Sequence, residues 1–512
     1  MKLTKYLWAA LLPTFMLAAC YEDTGNYDYT PISGITISGI ESSYSIIALV
    51  DNLVITPTIE TEFKAEDLEY LWEIRHSDNT IDTLSYSDNP NLDYPLTDIG
   101  NFIIYYYVKN KKNGYYVHTK TSVTVGTEFS QGFYMLKETA SGDTDLDLLL
   151  MDGRMIENVL ERTQGQALGG KPRSLGIQYC RPMIDPDTDK KTTENSLGII
   201  TYDNNVNILR GRDMYLAFDN SNLYYDAPAG EILYKFNMGG GDCELFTSNG
   251  IYYTGTSAGS GFLGLPANAP GASDYWAWSG AMAGMVFWNE TTSSFMYTNW
   301  RGGAYVCQGY ADPTTGLTDY DCIFMGTSQN VIYALLRKKS DSSLVIYEFT
   351  ANNYNTGPTA LHVTKVDASS ILHNAKVFAT NEMAIKYLYL VDSNNDLYYV
   401  SLSVKDADGN LTLPATKMTA SFFPADEEVT FLSHQYYIVS SSLFNHFAVA
   451  TYKSGKHHVY MYNFTGGLPD GEAVRTASGD GKVKSIRYLG TLTSYDTFTV
   501  LFDGTVSFCW TR

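Results

Sequence analysis

Strand-length runs broken by turn dipeptides recur along this chain from residue 132 to residue 510, and hardly any helix-period segment lies between them. Examples are Gly132-Leu136, Leu146-Met151, Leu197-Tyr202, Val331-Leu336, Leu344-Phe349, Tyr387-Val391, His446-Tyr452 and Ser485-Tyr488. Asp152-Gly153, Asn249-Gly250, Asp408-Gly409 and Asp503-Gly504 mark turns among them. One sandwich of that size would be unusual. Many short strands and few helices over about 385 residues instead fit radial repetition of four-stranded sheets, a β-propeller. At roughly 45 to 55 residues per blade this gives seven or eight blades, with seven favoured. No WD or kelch signature recurs, so a chain of two β-sandwich domains is the alternative.

Residues 32–126 read differently. Candidate strands Gly34-Ile40, Tyr44-Leu49, Leu53-Ile59, Tyr70-Arg75, Asn101-Val108 and Tyr115-Val125 are spaced as in a sandwich of about 100 residues. Alternation puts Tyr70, Trp72 and Ile74 on one face, which makes Trp72 a core residue. The fold class expected is all-β: an immunoglobulin-type sandwich at 32–126 followed by a β-propeller-like domain at 127–512.

The first twenty residues set the location. Lys2 and Lys5 precede an apolar stretch from Tyr6 to Ala19 that ends in Leu17-Ala18-Ala19-Cys20, after which Tyr21-Glu22-Asp23-Thr24 is abruptly polar. That is a secretory signal over residues 1–19, too short to span a bilayer. Its end resembles the lipobox of bacterial lipoproteins, which implies lipidation of Cys20 and a linker over residues 20–31. Two acyl signals would anchor the chain stably. The whole chain carries 35 Lys and Arg against 56 Asp and Glu, a net charge of −21. With no basic stripe, that argues against a nucleic-acid partner. The acidic pair Glu22-Asp23 is similar to the signal that sends lipoproteins of Bacteroidota to the cell exterior.

The opening Cys20-Tyr21-Glu22-Asp23-Thr24-Gly25-Asn26-Tyr27-Asp28-Tyr29, the small Trp-containing sandwich and the junction Gln131-Gly132-Phe133-Tyr134-Met135-Leu136 together resemble the PKD-like family lipoproteins of Bacteroidota. The resemblance implies an N-terminal PKD-like module and a C-terminal propeller-like domain. It also implies an accessory outer-membrane surface lipoprotein of a nutrient-uptake system, in which a TonB-dependent transporter works with a substrate-capturing lipoprotein. No catalytic motif comes with it.

The chemistry-bearing motifs are sparse. Gly255-x-Ser257-x-Gly259 matches a nucleophile elbow and Gly259-x-Gly261-x-x-Gly264 a dinucleotide fingerprint, but neither leads into a helix, so both are read as loop. None of the eight histidines makes a zincin motif, and His457-His458 is no more than an adventitious metal pair. The runs Asp185-Asp189 and Asp392-Asp396 lack the Gly and Glu of a calcium loop and read as turns. Beyond Cys20 the cysteines are Cys180, Cys243, Cys307, Cys322 and Cys509, an odd number. Buried free thiols are favoured over a Cys307–Cys322 bridge. No cofactor and no metal site are expected.

One region asks for a functional reading. Gly239 to Gly303 holds 13 of the 42 glycines together with Trp276, Trp278, Trp288 and Trp300. Gly permits close backbone approach and Trp rings stack on sugars or peptide side chains. Tyr275, Trp276, Trp278, Trp288 and Trp300 are therefore the candidate ligand-binding residues, with packing between blades as the competing role. The function expected is binding of an oligosaccharide or peptide nutrient. A propeller glycoside hydrolase and an adhesin for a host polymer are the alternatives, since two carboxylates on separate strands would suffice for hydrolysis.

Overall fold

Alternation builds the amino-terminal module. In strand Leu68–Arg75 every second side chain is buried, among them Tyr70, Trp72 and Ile74. Strand Gly100–Asn110 does the same with Phe102, Ile104, Tyr106 and Val108. The two pair antiparallel with Trp72 opposite Tyr106, and those rings stack with centroids 4.1 Å apart. The buried Trp72 indole donates to the Pro90 carbonyl at 3.1 Å, so the polar atom of the indole itself keeps a partner. The computed structural model describes residues 34–490, 499–501 and 505–507, apart from 49, 77–79, 187–188, 228–229, 238–243, 254–260, 267–270, 272, 279–284, 299–303, 310–312, 330, 351–356, 382–384, 419–421 and 440–441. Cys20 and the signal therefore lie outside the described residues, as does the motif around Ser257.

The main sheet of the module has five strands in the order Ser43–Ile47, Tyr116–Gly126, Gly100–Asn110, Leu68–Arg75 and Ile81–Ser87. Two strand pairs, Ile35–Ser38 with Thr58–Thr61 and Leu53–Ile55 with Leu92–Tyr94, complete it. Leu53, Ile55 and Leu92 share one core cluster with Trp72 and Tyr106, which makes the module a two-layered, immunoglobulin-like sandwich.

Beyond Gly126 the burial pattern changes. Strands Gly132–Glu138 and Thr144–Leu149 bury nearly every residue on both faces, as in sheets that are packed on both sides. Among the described residues the strands from Gly132 onward form seven sheets. The second is a plain meander, Pro172–Ile184, Lys191–Thr201, Val206–Arg210 and Leu216–Asp219. The third begins at Leu233–Asn237, the fourth at Trp276–Trp278, the fifth at Gln308–Gly309, the sixth at Ala375–Thr380 and the seventh at Glu428–Val439. The first sheet is composite: Lys482–Leu489, from the far end of the chain, pairs antiparallel with Gly132–Glu138. Successive meanders closed by a strand from the opposite terminus make a β-propeller-like domain. Among the described residues no helix is long and apolar enough to cross a membrane.

Charges are buried where the first and seventh sheets meet. Lys137 and Asp147, 1% and 0% exposed, lie 2.7 Å apart, and the fully buried His457 ring is 3.6 Å from the other Asp147 oxygen. Beside them Asp145 accepts from the backbone N–H groups of Leu160 (2.8 Å) and Glu161 (3.3 Å). It thus caps the helix Val159–Gln164, whose own cap residue Asn158 makes no side-chain cap bond. Cys307 and Cys322 are free and buried, and burial raises both thiols far above their ordinary range. Asp392 is buried, and its carboxylate accepts from the N–H groups of Asn394 and Asp396 at 2.9 Å, so that run is a self-capped turn.

Candidate functional site

Antiparallel meanders put the start of each first strand and the end of each second strand at the same end of the sheet. Arg173 is the second residue of the first strand of the second sheet, and Tyr202 follows the second strand, where Pro172 pairs with Thr201. Tyr234 and Lys235 lie at the start of the third sheet. In the fourth sheet Asp274 and Tyr275 precede the first strand, Trp276 opens it, and Glu290 follows the second strand, Met285–Asn289. Three consecutive sheets thereby deliver a charged and aromatic cluster to one place.

Arg173 is its centre. Its Nε and Nη2 donate to the two carboxylate oxygens of Asp274, both at 3.0 Å. The guanidinium lies 4.3 Å from the Tyr234 ring centroid and 4.9 Å from that of Tyr202. A planar fork that pairs bidentately and stacks on rings is a role Lys could not fill. The Arg173 side chain is 8% exposed and that of Asp274 44%, so the pair is rooted in the protein but open on its acidic side. Lys235 Nζ lies 3.8 Å from the Trp276 ring centroid.

The electrostatics converge on Glu290. Its carboxyl is raised above the usual range, first by desolvation and then by the Asp274 carboxylate; Arg173 and a hydrogen bond from the Tyr234 hydroxyl pull the other way. The Tyr275 phenol is pushed up to about 12, chiefly by burial and then by Cys322, Asp274 and Glu290. Arg173 and Asp274 largely cancel one another. What faces a ligand is then a proton-avid carboxyl, the open edge of a fixed carboxylate and the 55%-exposed Tyr202 ring. Such a surface can stack on a ring and hydrogen-bond to hydroxyl or amide groups.

The Trp-rich region is divided by this geometry. Tyr275 and Trp276 are half-buried at the cluster. Trp278 lies in the same short strand, opposite Met285, and its side chain is outside the described residues. Trp288 is 2% exposed and packs edge-on against Phe295 at 5.1 Å, so its ring serves the core and has no face to offer a ligand. Trp300 lies outside the described residues. Arg173, Tyr202, Tyr234, Asp274 and Glu290 escaped the sequence reading; the one available signal was Asp274-Tyr275-Trp276, a charged residue running into exposed-type rings at a strand start.

A concavity of about 800 Å³ lies between the fifth and sixth sheets and is lined by Thr364, Lys365, Asp367, Ser370, Asp406 and Asn410. Its carboxylates are engaged by their own turns: Asp367 accepts from Ser369, and Asp406 from Asp408 and Asn410. Among the described residues no three His, Cys, Asp or Glu side chains gather as a metal site. His457 is buried at the sheet junction, and His458 Nδ1 sits 3.1 Å from Glu427.

Residues 20–172 match the PKD-like family, a span that covers the sandwich and continues to the first residue of the second propeller sheet. No curated protein matches the chain. Among solved structures, a quinoprotein alcohol dehydrogenase-like protein from Bacteroides thetaiotaomicron aligns with a TM-score of 0.41 at 14% identity, over 90% of this chain and 99% of that one. A putative 6-phosphogluconolactonase from Bacteroides uniformis aligns at 0.27 and 11% identity, over 82% and 99%. A Synechocystis apocarotenoid oxygenase aligns at 0.28 and 10%, over 87% and 97%.

Proposed function

We propose that this protein is a lipid-anchored outer-membrane protein facing the cell exterior. It binds an oligosaccharide or peptide nutrient at the strand-start end of its second to fourth propeller sheets and does no chemistry on it. The observation that carries the binding site is the Arg173–Asp274 fork, buried on the cationic side and open on the acidic side, with the Tyr202, Tyr234 and Trp276 rings around it. Charges that neutralise each other beside the open Tyr202 ring suit a neutral, hydrogen-bonding ligand better than an ionic one. Lipidation at Cys20, surface display and service to a TonB-dependent transporter with its substrate-capturing lipoprotein rest on the resemblance of the N-terminal segment. The sandwich would then be a spacer between lipid and propeller.

Titration of the purified full chain against glycan and peptide panels tests the binding site. Retention of a ligand by the native protein, weakened about tenfold in Tyr202→Ala with folding intact, is the expected result. Release of cleaved product would overturn binding without turnover. It would favour the second reading, a glycoside hydrolase, whose support is the raised Glu290 carboxyl beside the fixed Asp274; Glu290→Gln should then abolish release. For the location, Cys20→Ala should free the chain from membranes. Native purification from membranes should bring down a TonB-dependent transporter.

A further inference from the structure

The solvent-facing side of the sandwich sheet carries a pocket that the propeller site does not need. Such a face is ordinarily polar. Here the register lines up Tyr86, Leu71, Tyr107 and His118 across four neighbouring strands, with Glu69, Lys109 and Tyr116 in the next row. Glu69, Leu71, Tyr86, Tyr107, Lys109 and Tyr116 line a cavity of about 460 Å³, within the range of small-molecule sites. Tyr86 and Tyr116 are 61% and 57% exposed, while the Tyr107 ring is held against His118 and Tyr116 at centroid distances of 5.4 and 6.4 Å.

The polar groups of the pocket are already arranged. Lys109 Nζ donates to one Glu69 oxygen at 2.6 Å and the Tyr86 hydroxyl to the other at 2.7 Å. The ammonium cancels the carboxylate, so the pocket selects neither an anion nor a cation. Each Glu69 oxygen keeps a lone pair and Lys109 keeps two N–H groups, enough to read a pair of hydroxyls on one ligand edge. A peptide added as a strand would require the open edge of the sheet at Ile81–Ser87, whereas this pocket opens on the face.

We infer that this face of the sandwich is a second ligand site, specific for a neutral saccharide of one or two rings. The apolar C–H faces of the sugar stack on Tyr107 and Tyr116, and its hydroxyls bond the Glu69–Lys109 pair beneath Tyr86. The sandwich then takes part in capture, retaining glycan close to the propeller. The inference does not depend on the propeller site.

Affinity electrophoresis of the full chain in native gels containing laminarin, xylan, galactomannan or soluble starch tests it. The expected result is retardation in at least one gel, weakened about tenfold in Tyr86→Ala/Tyr116→Ala, whose side chains are exposed enough to be removed without unfolding the module. An unchanged melting temperature of that variant confirms the fold. No retardation in any gel overturns the inference, as does equal retardation of the variant. Retardation that Tyr202→Ala removes but Tyr86→Ala/Tyr116→Ala does not also overturns it, and leaves the propeller site standing. Displacement by a tryptic peptide digest and not by free sugar refutes the saccharide assignment.

Discussion

Arg173 can be altered without breaking a core, because its partner Asp274 keeps access to water. Removing the guanidinium should therefore cost only the ion pair, whose partner stays in water, and the stacking on Tyr202 and Tyr234, together about 1–3 kcal/mol. Its effect on Glu290 is larger in kind. Asp274 raises the Glu290 carboxyl and Arg173 lowers it, so Arg173→Ala should move the Glu290 titration to higher pH and Asp274→Asn to lower pH. Carboxyl carbon shifts followed by NMR across pH 3 to 8 would show it; the same direction in both variants would mean that the cluster is not coupled. Trp72 is the opposite case. It is fully buried, stacked and hydrogen-bonded, so Trp72→Ala should destabilise the sandwich by about 3–5 kcal/mol in urea unfolding, enough to leave it largely unfolded. Trp72 could be read from alternation alone. Trp276 and Trp288 could not be told apart, since both stand in short aromatic strands. What separates them is position: one opens a first strand at the sheet's end, and the other lies in the middle of a second strand with sheets on both sides.

At the scale of elements the seventh sheet is distinctive in burying histidines on three adjacent strands. His434, His446 and His457 are each pushed down to about 4 by burial, with Arg475 adding to the effect at His446 and Lys137 at His457. A lowered histidine pKa means that the unfolded chain binds the extra proton between about pH 6.5 and 4, so the stabilisation is lost as pH falls through that window. Asp147 acts with the opposite sign. Burial raises it to about 6, so the folded state gains a proton there as pH falls, offsetting one of the three. The sheet therefore loses stability on acidification. His434→Gln should flatten the dependence of unfolding free energy on pH by about 1.4 kcal/mol per unit in that window, measured by urea titrations at pH 7, 6 and 5. An unaltered slope would show that His434 titrates normally. Strand periods were legible in the sequence because each strand carries its own pattern. The helix Val159–Gln164 was not, because its six residues hold less than two turns and its cap is Asp145, on a strand in the preceding sheet.

Across the whole molecule, the order of strands is what local pattern cannot supply. Ser485-Tyr488 reads as a strand, yet nothing near it says that Met135 is its neighbour: the register Met135↔Ile486 joins residues some 350 positions apart. That pairing supplies the first sheet with its fourth strand and ties it to the seventh. Gly481 sets it up. Its φ of +93° and the 2.5 Å between a notional Cβ and the Glu138 carbonyl oxygen admit only glycine at the entrance to the closing strand. The sandwich has a separate core, and the chain enters the propeller where Thr127 and Ser130 bond the Arg212 carbonyl. Ending the chain at residue 481 should thus leave strand Gly132–Glu138 unpaired on one edge and expose Met135, Leu136 and their cluster, while the sandwich is untouched. Limited proteolysis should then degrade the propeller and leave a resistant fragment spanning residues 34–126. Calorimetry should lose its larger transition and keep the smaller one. A truncated chain that retained both transitions at their original temperatures would mean that the ring does not need its last strand, and that the seven sheets are held by their packing alone.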